Sequence, residues 1–222
     1  ATINKLRACI DEEVARVEEY SPIDRCTRHL DYIIRHKEHL TGEHEKRVER
    51  YARIVAQHMN LDRQSSAQIC RAARLHDIGK ICISPEVWLD TDRWDDPKNK
   101  SHQEKKMRMQ KHAEIGAYIL SPSRVGIAIA ASVRAHHENW DGTGYPDALA
   151  DDSIPFWARI IRVADSFDAM TQSRGHRPVP LPCDQAIEEL LAGQGKQYDP
   201  RICAAVDTCK SDLIAAFSAP LR

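Results

Sequence analysis

Between Thr41 and Met59 the apolar residues Val48, Tyr51, Ala52, Val55 and Ala56 recur at spacings of three and four. That is the period of a helix with one buried face, and it excludes the two-residue period of a half-buried strand. The same period returns along the chain. "SPIDRCTRHLDYIIRHKEHL" opens on Ser21 as an N-cap with Pro22 in the first helical position, where the missing amide hydrogen has no helical partner to lose. Further helices are expected over Ser65–Leu75 and Met107–Leu120, and over "SRVGIAIAASVRAHH" and "IPFWARIIRVADSFDAM", the latter with Pro155 near its start. "CDQAIEELLA" and "DPRICAAVDTCKSDLIAAF", the last capped by Asp199-Pro200, complete the set. No strand-like alternation lasts, and extended pieces are expected at most near Ile81–Ile83 or Tyr145–Ile154. With only nine glycines among 222 residues, the expected fold is an all-α bundle.

Two segments break the pattern. Leu89–Gln103, "LDTDRWDDPKNKSHQ", is polar and reads as a surface loop, and residues 141–154 form a glycine-containing loop between two helices. Residues 1–25 are expected to form a charged leading helix and a linker from an upstream regulatory module, with one domain over residues 26–222. Ala1 in place of Met raises the expectation that the chain is cut from a longer protein.

The bulk chemistry narrows the partners. Hydrophobic residues make up 42 % of the chain and charged residues 29 %, enough to bury a core. A net charge of −1 gives no global field for a nucleic-acid duplex or an acidic membrane, so an anionic ligand has to be held by local charge. The longest apolar run, "VGIAIAASV", is too short to span a bilayer. Seven cysteines with no CxxC pair read as reduced thiols of a cytoplasmic protein.

The histidines carry more. His76 and Asp77 close one helix pattern in "HDIGK"; His44 opens another; His112 lies inside a third; His136 and His137 end a fourth; Asp165 lies inside a later one. Each alone reads as an ordinary structural residue, as His29, His36, His39, His58, His102 and His176 do. Together, imidazoles and carboxylates suit divalent transition metals, and seven such groups suffice for two adjacent sites in which a two-oxygen carboxylate such as Asp77 is shared. Asp168 stands one turn beyond Asp165 on the same helix face, where it would support a ligand or touch a substrate.

The pieces "TGEHEKRV", "HDIGKI", "KHAEIGAYIL", "HHENWDGTGYP", "IPFWARIIRVADSFDAMTQSR" and "GKQYDP" resemble, in order and spacing, the HD-GYP family of HD metal-dependent phosphohydrolases, which hydrolyse cyclic di-GMP. The resemblance implies an HD-type helical bundle with a metal site between helices. It implies that His44, His76, Asp77 and Asp165 hold one metal, and that Asp77 bridges to a second held by His112, His136 and His137. Lys80 matches the lysine that meets the substrate phosphate, Tyr145 the tyrosine of the GYP signature, and Arg174 and Arg177 basic positions that help hold the dinucleotide. The expected activity is hydrolysis of cyclic di-GMP to pGpG, with a second cleavage to GMP left open, by a metal-bridging hydroxide with Asp77 and Lys80 in catalytic roles. The cofactors expected are two divalent ions, iron or manganese first, with nickel, cobalt or zinc as alternatives. Two other readings stay open: hydrolysis of another cyclic dinucleotide such as cyclic GMP-AMP, and a weakly active cyclic di-GMP receptor. An upstream sensor or receiver module and a homodimer are the further partners expected.

The sequence departs from the family pattern at three places. Leu40 stands where a glutamate helps hold a third metal, so two metals are expected; "SRGHRP" replaces a stretch that usually carries an aromatic; and residues 90–107 differ from the usual stretch before the His112 helix.

Overall fold

A computed structural model describes residues 41–84, 87, 99–121, 126–173 and 179–221. The leading segment 1–25, Leu40, Arg174, His176 and Arg177 lie outside them. Seven α-helices make up the described fold: α1 Thr41–His58, α2 Arg63–Leu75, α3 Lys100–Leu120, α4 Ile127–Ala135, α5 Phe156–Thr171, α6 Cys183–Ala192 and α7 Pro200–Ser218. Two 3-10 turns, Ile78–Cys82 and Asp151–Ser153, interrupt the connections. Among the described residues there is no strand, only the isolated bridges Asp141–Ala150 and Gln194–Tyr198. The expected all-α bundle is therefore the fold found. The stretch Ile81–Ile83 runs out of a 3-10 turn instead of pairing.

Helix starts follow local chemistry. Asp62 accepts from the amides of Gln64 and Ser65 at the head of α2, and Asp199 accepts from Arg201 N with Pro200 next to it at the head of α7. Such side chains satisfy amides that the first helical turn leaves without partners. Asn99 does the same for Ser101 and His102, so α3 begins at Lys100 and not at Met107. The expected surface loop ends earlier than residue 103 because "KSHQEKKM" is built of good helix formers that need no apolar period on a solvent-facing turn.

Helix α5 is the hub. Ala158, Ile160, Ile161, Val163, Ala164, Phe167 and Asp168 are all buried, and α1, α2, α4, α6 and α7 pack against it. Tyr51 of α1 meets Phe167 edge-on with ring centroids 4.9 Å apart. Five cysteines fall among the described residues, none of them in a disulfide, with Cys70, Cys203 and Cys209 buried. No helix among the described residues is long and apolar enough to cross a membrane.

Candidate metal centre

Six elements converge on one cluster. His44 projects from the first turn of α1, His76 caps the C-terminus of α2, Asp77 opens the 3-10 turn, His112 comes from α3, His136 and His137 from the end of α4, and Asp165 from α5. Asp77, His76, His112 and His136 are almost completely buried.

The carboxylate of Asp77 divides its two oxygens between two sets of rings. Oδ2 lies 3.4 Å from His76 Nε2 and 3.7 Å from His44 Nε2. Oδ1 lies 3.2 Å from His112 Nε2 and 4.0 Å from His136 Nε2. Two groups of donor atoms result, each able to hold a metal ion and both containing Asp77: His44–His76–Asp77 and Asp77–His112–His136–His137. Asp165 joins the first, its Oδ1 3.4 Å from His44 Nε2 and 3.9 Å from His76 Nε2. The seven residues expected as ligands are thus brought together.

Backbone geometry decides which ring nitrogen each histidine offers. Nδ1 of His76 sits 2.7 Å from Ala73 O, that of His112 2.6 Å from Met109 O, and that of His136 2.6 Å from Val133 O. A carbonyl oxygen only accepts, so Nδ1 carries the proton and Nε2 keeps a lone pair aimed into the cluster. His44 is held the same way by a carboxylate, Nδ1 to Asp168 Oδ2 at 2.7 Å. Nε2 of His112 and Nε2 of His136 face each other at 3.3 Å. Buried His76 Nε2 and Asp77 Oδ1 have no hydrogen-bond partner, and buried polar groups without partners are costly. This donor set fits cations: the lone pairs converge, and those of His76 Nε2 and Asp77 Oδ1 find no hydrogen-bond partner among the described residues.

Electrostatics follow from burial. Desolvation depresses the pKa of His76 and drives those of His136 and His137 well below the ordinary histidine value, and neighbouring histidines add to it for the latter two. Neutral imidazole is the form that ligates. Burial opposes charge on His44 too, but hydrogen bonds and charge from Asp165 and Asp168 outweigh it and raise the pKa to about 9. Burial likewise opposes the charge of Asp77, yet Lys80, His76 and His112 hold its carboxyl well below the usual range; Lys80 Nζ is 2.6 Å from Oδ2.

Tyr145 stacks on His137, ring centroids 4.7 Å apart and planes at 28°. Its loop is held from inside: Glu138 accepts from the amides of Asp147 and Leu149, and Asp141 accepts from the Thr143 amide and hydroxyl. At Gly144 a Cβ would come within 2.6 Å of the Glu138 backbone, so the turn closes only with glycine there.

Asp168 was expected to support a ligand or to touch a substrate. Its side chain is wholly buried, and both oxygens are engaged, by His44 Nδ1 and by Arg47 Nε and Nη2. This placement suits holding the His44 ring and leaves no exposed oxygen for a substrate. Sequence reasoning missed Arg47, whose place one turn after His44 on the same face was the available signal. It also missed Glu45. That side chain is fully buried with neither oxygen bonded, and burial pushes its pKa up to about 8.

Residues 28–202 match the family model described as HD domain. The chain is 35% identical over 169 residues to the 3'3'-cGAMP-specific phosphodiesterase 2 of Vibrio cholerae, covering 73% of this chain and 30% of the relative. It is 33% identical over 207 residues to the cyclic di-GMP phosphodiesterase response regulator RpfG of Xanthomonas campestris, covering 91% and 50%. The chain therefore spans half or less of the length of these relatives. A solved cyclic GMP-AMP specific phosphodiesterase of Vibrio cholerae superposes with a TM-score of 0.59 at 18% identity, over 80% of this chain and 46% of that one; at that identity the likeness speaks for the fold.

Proposed function

Because the chain belongs to the HD domain family, in its HD-GYP branch, we propose that it is a metal-dependent phosphodiesterase that hydrolyses cyclic di-GMP to pGpG. The observation that carries this reading is the division of the two Asp77 oxygens between two sets of histidine Nε2 atoms. His44, His76, Asp77 and Asp165 would hold one divalent ion, and Asp77, His112, His136 and His137 a second. Such ions, when bound, make water nucleophilic near neutral pH and neutralise charge developing on phosphate oxygens. Mixed imidazole and carboxylate donors favour iron or manganese, with nickel, cobalt and zinc also accommodated.

The chain's own residues do the rest. Lys80, about one quarter exposed and bonded to Asp77, lies where it can lend positive charge to a phosphate beside the cluster. Tyr145, on the outer face of His137, forms a flat wall for the substrate. Asp168 holds the His44 ring with Nε2 inward, and the carbonyls of Ala73, Met109 and Val133 fix three further rings. Arg174 and Arg177 are proposed to meet the second phosphate. Residues 1–25 are proposed to lead from an upstream sensor or receiver module, with the domain over residues 26–222, acting in the cytoplasm and able to pair as a homodimer.

Cyclic GMP-AMP is the second reading, favoured by the name of the Vibrio cholerae relative at 35% identity. The test is metal analysis of anaerobically purified protein together with turnover of cyclic di-GMP and cyclic GMP-AMP. Two metals per chain with faster cleavage of cyclic di-GMP is the expected result. Faster cleavage of cyclic GMP-AMP selects the second reading, and tight binding of cyclic di-GMP without turnover makes the protein a receptor.

A further inference from the structure

Arg162 stands on α5 one turn before Asp165, on the same face of the helix, and the reading above gives it no part. Three neighbours hold its guanidinium. Nη1 donates to Ser166 Oγ at 3.2 Å, Nη2 donates to Asn139 Oδ1 at 3.0 Å, and Cζ lies 5.8 Å from the centre of the Tyr198 ring. Asn139 is itself tied to its loop, Nδ2 donating to Thr143 Oγ1 at 3.0 Å. A guanidinium carries five N–H hydrogens, and these two acceptors take one each. Nε is buried and has no hydrogen-bond partner among the described residues, a condition that costs free energy until an acceptor arrives. His137, Asn139, Tyr145 and Arg162 are each partly exposed. They make one edge beside the cluster: Tyr145 stacks on His137, Asn139 follows His137 by two residues, and Arg162 is bonded to Asn139. After burial and the neighbouring histidines, the charge of Arg162 also lowers the His137 pKa, as a cation close to that ring must.

We propose that Arg162 reads the guanine base of the nucleotide whose phosphate sits at the metal cluster, and so determines which base the site accepts. The inference rests on the proposed hydrolysis of a guanine-containing cyclic dinucleotide. A guanidinium only donates. Guanine presents two acceptors, O6 and N7, on one edge, whereas adenine presents one acceptor and an amino donor there. A pair of N–H groups therefore matches guanine and sets a donor against a donor on adenine. Reading an edge needs a donor plane that stays fixed. Arg162 has one, held at both Nη atoms and over the Tyr198 ring. Tyr145, on the same edge of the cluster, offers an aromatic face on which a base can stack.

The test is equilibrium dialysis of the manganese-loaded 222-residue chain with GMP and, separately, AMP. The parent, Arg162→Ala and Arg162→Lys are compared, with metal content and circular dichroism read on each. The parent should bind GMP about ten-fold or more tighter than AMP. Arg162→Ala should weaken GMP until the two bind alike, with AMP binding and metal content unchanged. Arg162→Lys keeps the charge but not the planar pair of donors, so it should lose the preference too, and it decides the matter should alanine unfold the chain. A parent without preference for GMP overturns the proposal. So does equal weakening of GMP and AMP, which gives Arg162 a phosphate or a structural role, and so does a full preference retained in either folded variant. Cyclic di-GMP turnover of the parent is measured alongside. A preference for GMP that depends on Arg162 in a chain without turnover keeps the base contact and refutes the activity; turnover without that preference does the reverse.

Discussion

Asp168 and His44 meet at 2.7 Å across 124 residues of chain, carboxylate Oδ2 to ring Nδ1, with Arg47 bound to the same carboxylate. The pair makes α5 the alignment device for a ligand on α1. Asp168→Ala should release the His44 ring and leave Arg47 without its buried partner. Outer partners of metal-bound histidines are typically worth 10- to 100-fold in metal affinity or activity. Metal content by elemental analysis and turnover should fall by that range, while Asp165→Ala, which removes a donor itself, should cost more.

Asp77→Ala removes the only group shared by the two donor sets. At least one metal per chain should be lost, along with turnover, while far-ultraviolet circular dichroism stays helical. Full metal content at normal turnover would contradict the assignment.

Lys80→Ala should leave the metals in place and weaken handling of the dianionic substrate. A hydrogen bond to a charged group is worth about 1.5–3 kcal/mol, so kcat/KM should drop by roughly ten- to a hundred-fold. Unchanged kinetics would move the phosphate elsewhere.

Asp199 is buried and accepts from Arg159 Nη1 at 2.7 Å and from Arg201 Nη2 at 2.9 Å. Although burial opposes its charge, these hydrogen bonds hold its carboxyl below the ordinary value. A depressed folded-state pKa stabilises the fold above the unfolded pKa, near ~3.9, and the stabilisation is lost as pH falls through the folded value. Asp199→Asn should therefore cost roughly 1–3 kcal/mol at pH 7 and flatten this part of the acid limb in thermal melts; the variant and parent should converge as pH drops below 4.

Glu45→Leu should stabilise the metal-stripped protein. The parent buries a carboxyl with neither oxygen bonded, a condition that costs about 1–3 kcal/mol. A Tm rise of several degrees is expected by calorimetry, and a fall would show that the carboxyl has a partner essential to the fold.

Five of the seven cluster residues, His44, His76, Asp77, His136 and His137, stand out in the sequence because they sit at helix ends, and the full set of seven rested on the resemblance to the HD-GYP family. His112, mid-helix, was legible only through its companions. What was not legible depends on distance along the chain or on inversion of a rule. Nothing local to Asp168 announces His44, and nothing local to Asp199 announces Arg159 forty residues earlier. Glu45 sits in the charged stretch "GEHEKR", which reads as a solvated turn, yet it is fully buried. The start of α3 escaped because its first turns follow helix propensity without an apolar period.

Gly79 lies against the backbone of α3: a Cβ there would sit 1.9 Å from the His112 carbonyl oxygen and 2.6 Å from Gly116 N. Main chain rests on main chain where the turn carrying Asp77 crosses the helix carrying His112. No side chain stands between that turn and that helix to act as a spring. Their separation is inherited from covalent geometry and van der Waals radii, as in a machined gauge, and not from a rotamer that thermal motion could swap. The approach of Asp77 to His112 thus rests on the one hydrogen atom that Gly79 has in place of a side chain.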